Sequence, residues 1–371
     1  MLSIHDEHVF NDDLLTGERD REKAKRAFPN IYFALDHPEL RAMFDPLDAE
    51  ANREKLLGRY AGFIAIMLAL ASLLLVAAEP VIHYNLHIDT EAWLGPLAAF
   101  TGLAGLVVGV WFGLHSGAKR KWLLKRFVCE RLRELQFQIL IFRAPMIVDA
   151  IGDPAKQEAF FAERQRLRDA FAIRHEARID AEFADITESE GDQACWLASA
   201  PDEAAVAAMD PAKADELFRA YEHLRINHQI GYVTHKLRNS TKLFDFPIRR
   251  QEGVFAVGTI ILVGLLFSVH LLTLPGAIFD FNSNWDRFFH FLTIAFAVTA
   301  LAIRALEEGF QPQRDVERYE TYRYGCRVVR ERFGEAKTPA EKFEAMRQFE
   351  RLVFEEMKLF MRTSARSRFV L

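Results

Sequence analysis

Four stretches of the chain run without an Asp, Glu, Lys or Arg: 60–78, 92–114, 253–274 and 288–303, of 19, 23, 22 and 16 residues. At 1.5 Å rise per residue, about 20 apolar residues cross a ~30 Å hydrocarbon core. The first three are long enough outright. The fourth ends at Arg304, whose long side chain reaches the interface from one residue beyond the apolar run. The pattern therefore predicts four transmembrane helices in two tandem hairpins. No signal-peptide pattern precedes the first window, so the first spans are expected to be retained.

Outside these windows apolar residues recur at mixed spacings of three and four, which predicts amphipathic helices over 158–183, 214–237 and 340–362. In the last, Phe343, Met346, Phe349, Val353, Met357 and Phe360 form one stripe, expected to pack against neighbouring helices. Residues 179–212 hold nine acids and no Lys or Arg, marking an acidic linker over 184–210. The expected organisation is a cytoplasmic N-terminal region (1–57), a first hairpin unit with helices (58–183), the linker, and a second unit (211–371). No run alternates as a strand would, so the fold class is all-α: an integral membrane protein with cytoplasmic helical extensions.

The two units are related by an offset of 197 residues. Trp122–Glu134 lies over Tyr319–Glu331 with Arg126, Cys129, Arg133 and Glu134 matching Arg323, Cys326, Arg330 and Glu331. Four identities in 13 positions indicate a duplicated hairpin-plus-helix unit. Asp153-Pro154-Ala155 and Thr338-Pro339-Ala340 then each open a charged helix.

Charge fixes the expected orientation. Fifteen Lys and Arg lie within 15 residues of the outer ends of the hairpins, whereas the two short loops hold one, Arg287. That asymmetry places both termini and the central region in the cytoplasm, a multi-pass arrangement in the inner (cytoplasmic) membrane. The overall charge of -5 gives no nucleic-acid signature. Three cysteines, Cys129, Cys195 and Cys326, make no CxxC pair and no disulfide framework.

No phosphate loop, GxGxxG, HExxH or GxSxG motif occurs, so neither an enzyme nor a cofactor is expected. His83 and His87 sit one turn apart in the first loop and read as a solvated pair rather than a metal site. Gly105, Gly109, Gly113 and Gly117 recur every four residues, a smooth ridge for helix packing within the hairpin, against Ala61, Ala65 and Ala69, or between copies. His270, Arg304, Glu307 and Glu308 are the candidate pore or interface residues. Lys119, Arg120, Lys121, Lys125 and Arg126 are expected beside anionic lipid headgroups.

The helix after the first hairpin, with Trp122, Arg126 and Glu130-Arg131-Leu132-Arg133, resembles the bacterial SLATT group, the SMODS and SLOG-associating two-transmembrane effector domains. Tyr221, Arg225, Gln229 and Tyr232 similarly resemble the Y-x-x-x-R-[IL]-x-x-Q-x-x-Y helix ahead of such hairpins. The resemblance implies a membrane effector of a nucleotide-sensing bacterial defence system. Here the hairpin is doubled and no sensor domain is recognisable. The expected function is an oligomer-forming, channel-like effector acting on the lipid bilayer as a homo-oligomer. The alternative is a membrane-anchored scaffold whose cytoplasmic helices recruit a protein partner.

Overall fold

The computed structural model describes residues 10–85, 93–111, 117–188, 195–238, 248–279 and 283–367, and among them every regular element is helical. In chain order these are α1 (Glu18–Ala27), α2 (Tyr32–Leu35), α3 (Pro38–Asn85), α4 (Leu94–Val110), α5 (Ala118–Phe142), α6 (Ala144–Asp149) and α7 (Pro154–Glu188). There follow α8 (Glu203–Ala207), α9 (Pro211–Tyr221), α10 (His228–Arg238), α11 (Ile248–Phe279), α12 (Ser283–Phe310), α13 (Pro312–Glu335) and α14 (Pro339–Arg366). A π-helical segment, Glu222–Asn227, joins α9 to α10, so the helix expected over 214–237 is present with an unforeseen widened turn.

The chain forms two compact units that are each discontinuous in sequence: 1–52, 122–240 and 317–365 in unit 1, and 53–121, 241–316 and 366–371 in unit 2. Both therefore draw on both sequence repeats.

Unit 2 holds the apolar helices. Helical stretches Tyr32–Tyr84, Gly253–Thr273 and Trp285–Glu335 each contain a segment long and apolar enough to cross a membrane, and Leu94–Val110 is a shorter apolar helix. The chain is thus a membrane protein by the length and composition of three helices. Its apolar side chains point outward, with Phe100, Leu106, Ile260 and Phe267 all more than 60% exposed. Such an exterior suits lipid rather than water.

Small residues set the contacts inside unit 2. A Cβ added at Gly105 would lie 3.2 Å from the backbone oxygen of Ala65, so α3 and α4 approach closely there. The hydroxyl of Ser72 donates to the Ala98 carbonyl at 2.7 Å. On another face of α3, Ile66 and Leu70 pack with Ala302 and Ala305 of α12. The Phe255 and Phe310 rings stack at 6.4 Å between α11 and α12, and the Arg59 guanidinium lies over Phe310. Between α12 and α13, Gln311 adopts a left-handed backbone (φ 50°) immediately before Pro312, which ends one helix and starts the next.

Unit 1 is a helical body built around α5, α7, α9, α10, α13 and α14. Capping explains two of the starts. Asp153 accepts the backbone N–H groups of Ala155 and Lys156 at the head of α7, and Thr338 and Glu341 form a reciprocal capping box at the head of α14. The stripe expected on α14 is buried from Phe343 to Met357. Phe354, Met357 and Met361 meet Leu123, Phe127, Phe183 and Ile186 of α5 and α7.

The segment 184–210 departs from a solvated linker. Residues 184–188 complete α7, and Ala198, Val206 and Met209 are buried, because the acids are interspersed with apolar side chains that fill unit 1. Residues 189–194 lie outside the described residues.

Candidate functional site

Twelve consecutive residues of α5, Arg131 to Phe142, are all buried. A helix enclosed on every side is normally apolar throughout. This one carries Arg131, Arg133, Glu134, Gln136 and Gln138, so each must find partners inside the protein. Arg131 donates to Glu134 Oε2 at 2.6 Å and to the Cys195 carbonyl at 3.3 Å. Arg133 reaches Asn11 Oδ1 at 2.7 Å, Asp13 Oδ2 at 3.0 Å and both oxygens of Glu130. Gln136 accepts from His37 and donates to the Leu35 carbonyl, while Gln138 bonds the backbone at Cys195 and Leu197.

A second polar line faces this helix. Tyr221, Arg225, Gln229 and Tyr232 recur at i, i+4, i+8 and i+11, one face of the α9–α10 helix across its π turn. Arg225 Nε and Nη2 donate to the two oxygens of Glu350 at 2.9 and 2.7 Å, and neither side chain is exposed. The Tyr221 hydroxyl donates to Glu350 Oε1 at 2.8 Å, and the Arg225 guanidinium lies 4.3 Å from the Phe137 ring centre on α5. Further along, Tyr322 donates to Gln229 Oε1 at 3.2 Å, and the Tyr232 and Tyr319 hydroxyls stand 3.4 Å apart. Tyr221, Arg225 and Gln229 are thus buried and Tyr232 half-buried, and all four are bound to α13 or α14.

Burial and neighbouring charge divide the acids. Burial raises Glu134 to about 7, with Arg131 opposing it and Glu350 adding to the effect; among the described residues its Oε1 has no hydrogen-bond partner. Glu130 is also penalised by burial, yet Arg126 and Arg133 hold it down near 2. Burial pushes the thiols of Cys129, Cys195 and Cys326 up to about 12, so they remain protonated at neutral pH. Among the described residues the buried charges of this interior are paired, with Glu134 raised toward neutrality beside Arg131.

The residues expected to act in the membrane are not brought together as one site. Gly105 packs on α3, and a Cβ at Gly109 would meet Ala65 Cβ at 3.6 Å, so these two serve packing within the α3–α4 pair. Gly113 lies outside the described residues. Gly117 is not on the ridge: it adopts φ 54° just ahead of α5, a backbone that glycine tolerates. His270 is exposed and its Nδ1 lies 3.1 Å from the Leu266 carbonyl of its own helix. Arg304 pairs with Glu307 at 2.6 Å, and Glu308 accepts from Gln311 at 3.4 Å. Because Gly258 abuts Ile303, the twelve residues from Gly258 to His270 put these groups roughly 18 Å apart along α11. His87, expected to pair with His83, lies outside the described residues.

The basic cluster divides as well. Arg126 is not a headgroup ligand: it bonds Asp48 Oδ1 at 3.0 Å and Glu130 at 2.5 Å inside unit 1, where buried carboxylates compete better than solvent-screened phosphates. Lys125 pairs with Glu50 at 2.8 Å. Lys119 donates to Ser367, and Arg120 and Lys121 are exposed.

Glu350 was not singled out by sequence reasoning. Its signal is positional: it falls in the stripe of α14 at four residues from Met346 and three from Val353, a carboxylate where a core residue is due.

A scan against protein-family models and searches of curated proteins and solved structures return no match to this chain.

Proposed function

We propose that the chain is a membrane effector: four crossing segments in two tandem hairpins, in the inner membrane with both termini cytoplasmic, assembling with its own copies to open a conducting path. The observation that carries this reading is the pairing of an apolar-surfaced unit 2 with a unit 1 whose central helix is charged and enclosed. One unbroken helix, α3, contributes residues to both. The fifteen-to-one distribution of basic residues supports the orientation, and the SLATT-like residues support the effector class. Since Gly105 and Gly109 are used within the α3–α4 pair, assembly falls to the outward faces, such as Phe100, Leu103 and Leu106 on α4.

The test is reconstitution of the purified protein into liposomes with dye-release and single-channel readouts. Protein-dependent leakage together with crosslinked oligomers is expected. Intact vesicles at all protein densities would overturn the effector reading.

A scaffold reading has one observation in its favour. Tyr324 and Val328, one turn apart on α13, are 72% and 37% exposed, an apolar patch on the helical body. A protein partner captured through Tyr324, with no leakage, is the result that reading requires.

A further inference from the structure

Helix α7 carries Phe161, Arg164, Gln165 and Arg168 at i, i+3, i+4 and i+7, one stripe of its surface. With His37 and Glu39 from the start of α3 they line a cavity of about 280 Å³ within unit 1. It is half-open to solvent and just below the volume of typical small-molecule pockets. The lining is unusual for a helix contact, because it presents two guanidiniums, an amide and a half-open aromatic ring.

His37 supplies the specific element. Its ring is 97% buried, with 3% exposure, and Nδ1 lies 2.8 Å from Gln136 Oε1. The Gln136 amide nitrogen donates to the Leu35 carbonyl at 3.2 Å, which fixes the amide oxygen toward His37. Nδ1 therefore carries the proton. Burial, reinforced by Arg164, lowers His37 to about 4, so the ring is neutral at pH 7 and Nε2 holds a lone pair. Among the described residues no donor meets Nε2: Glu39 Oε2, at 3.9 Å, is itself an acceptor. An acceptor open to the cavity is a place for a ligand's donor.

The charge of the lining selects the rest of the ligand. Arg164 is anchored by the carbonyls of Phe33 and Asp36 and lies 3.7 Å from Glu39, and Arg168 is held by Asp169 at 2.6 Å. Each guanidinium already has a carboxylate beside it, Glu39 for Arg164 and Asp169 for Arg168, and their remaining N–H donors disfavour a metal cation at His37 and Glu39. They favour an anion.

We infer that this cavity binds a small organic anion bearing a hydroxyl or N–H group: anionic oxygens toward Arg164 and Arg168, the donor on His37 Nε2, and the carbon skeleton against Phe161. Carboxylate and phosphate esters share that chemistry. The recognising imidazole is one hydrogen bond from Gln136 of α5.

The experiment is titration calorimetry of the full-length protein in nanodiscs at pH 7. The probes are lactate, phenyllactate and glycerol 3-phosphate, each beside its hydroxyl-free counterpart: propionate, 3-phenylpropionate and propyl phosphate. At least one hydroxylated anion should bind, at least about tenfold more tightly than its counterpart, since losing the donor leaves His37 Nε2 unpaired. The carboxylate and phosphate arms identify which anion is taken. Gln165→Ala, at an exposed position, and Arg168→Ala should each weaken binding at least about threefold while the melting temperature is retained. For the carboxylate probes affinity should be flat from pH 6 to 8, because neither the acceptor nor the probe changes charge there. Three outcomes would overturn the inference: no binding of any probe at millimolar concentration, equal binding with and without the hydroxyl, or unchanged affinity in both variants. Each is independent of whether the protein permeabilises vesicles.

Discussion

Arg225 and Glu350, 125 residues apart in sequence, meet through two parallel hydrogen bonds of 2.9 and 2.7 Å with no solvent access to either side chain. This bidentate geometry ties the π turn between α9 and α10 to the middle of α14. A buried pair of this kind fixes which surfaces face each other more than it adds net stability.

Removing one partner should therefore be worse than removing both. Glu350→Ala leaves the guanidinium enclosed without a counter-charge, at a cost of about 3–5 kcal/mol. Arg225→Met combined with Glu350→Leu should recover most of that loss. Chemical denaturation of the detergent-solubilised protein, followed by far-UV circular dichroism, checks the ordering; a double variant less stable than Glu350→Ala would contradict it.

Glu134 sets a pH dependence with a definite sign. Its folded value of about 7 lies above the 4.5 of a free side chain, so below pH 4.5 both states hold the proton and it contributes nothing. Between the two values the unfolded chain ionises while the folded one does not. Stability falls as pH rises, and the penalty is complete above 7. Glu134→Gln keeps an oxygen for Arg131 and removes that titration, so the variant should gain on the parent as pH rises from 4 to 8. Melting curves across that range make the comparison.

The two ridge glycines should separate. Gly105→Ala drives a Cβ to 3.2 Å from the α3 backbone and should cost on the order of 1–3 kcal/mol, whereas at Gly109 the same Cβ makes ordinary contact at 3.6 Å. Gly109→Ala should be close to neutral. Val110→Leu, at a 38% exposed position, is the control. Unfolding in mixed micelles measures all three.

Orientation has its own assay. Cysteines introduced at 85 and 282 should react with an impermeant reagent on intact cells, and one at 189 should not. The reverse pattern would place unit 1 outside.

The class of the fold was legible because apolar length needs no partner to be read: the windows at 60–78, 253–274 and 288–303 fall within α3, α11 and α12. The amphipathic helices were equally plain, since Phe343 to Met357 keep one face through burial. What escaped was pairing at a distance. Nothing local says that Arg126 meets Asp48, or that Glu350 rather than solvent neutralises Arg225. A charged residue in a helix looks solvated until the neighbouring elements are known. Repeat symmetry misleads for the same reason: Glu134 is 1% exposed whereas its counterpart Glu331 lies on the surface, because α5 is enclosed and α13 is not.

The close approach at Gly105 also has a mechanical meaning. Between α3 and α4 the backbones nearly touch and Ser72 adds a hydrogen bond, contacts that lipid cannot replace. Between α3 and α12, the contacts of Ile66 and Leu70 with Ala302 and Ala305 are alkyl against alkyl, which acyl chains can imitate. Under lateral strain the bundle should part along that second seam, α3 and α4 moving as a single strut, and lipid or water would enter between the helices that grip each other least.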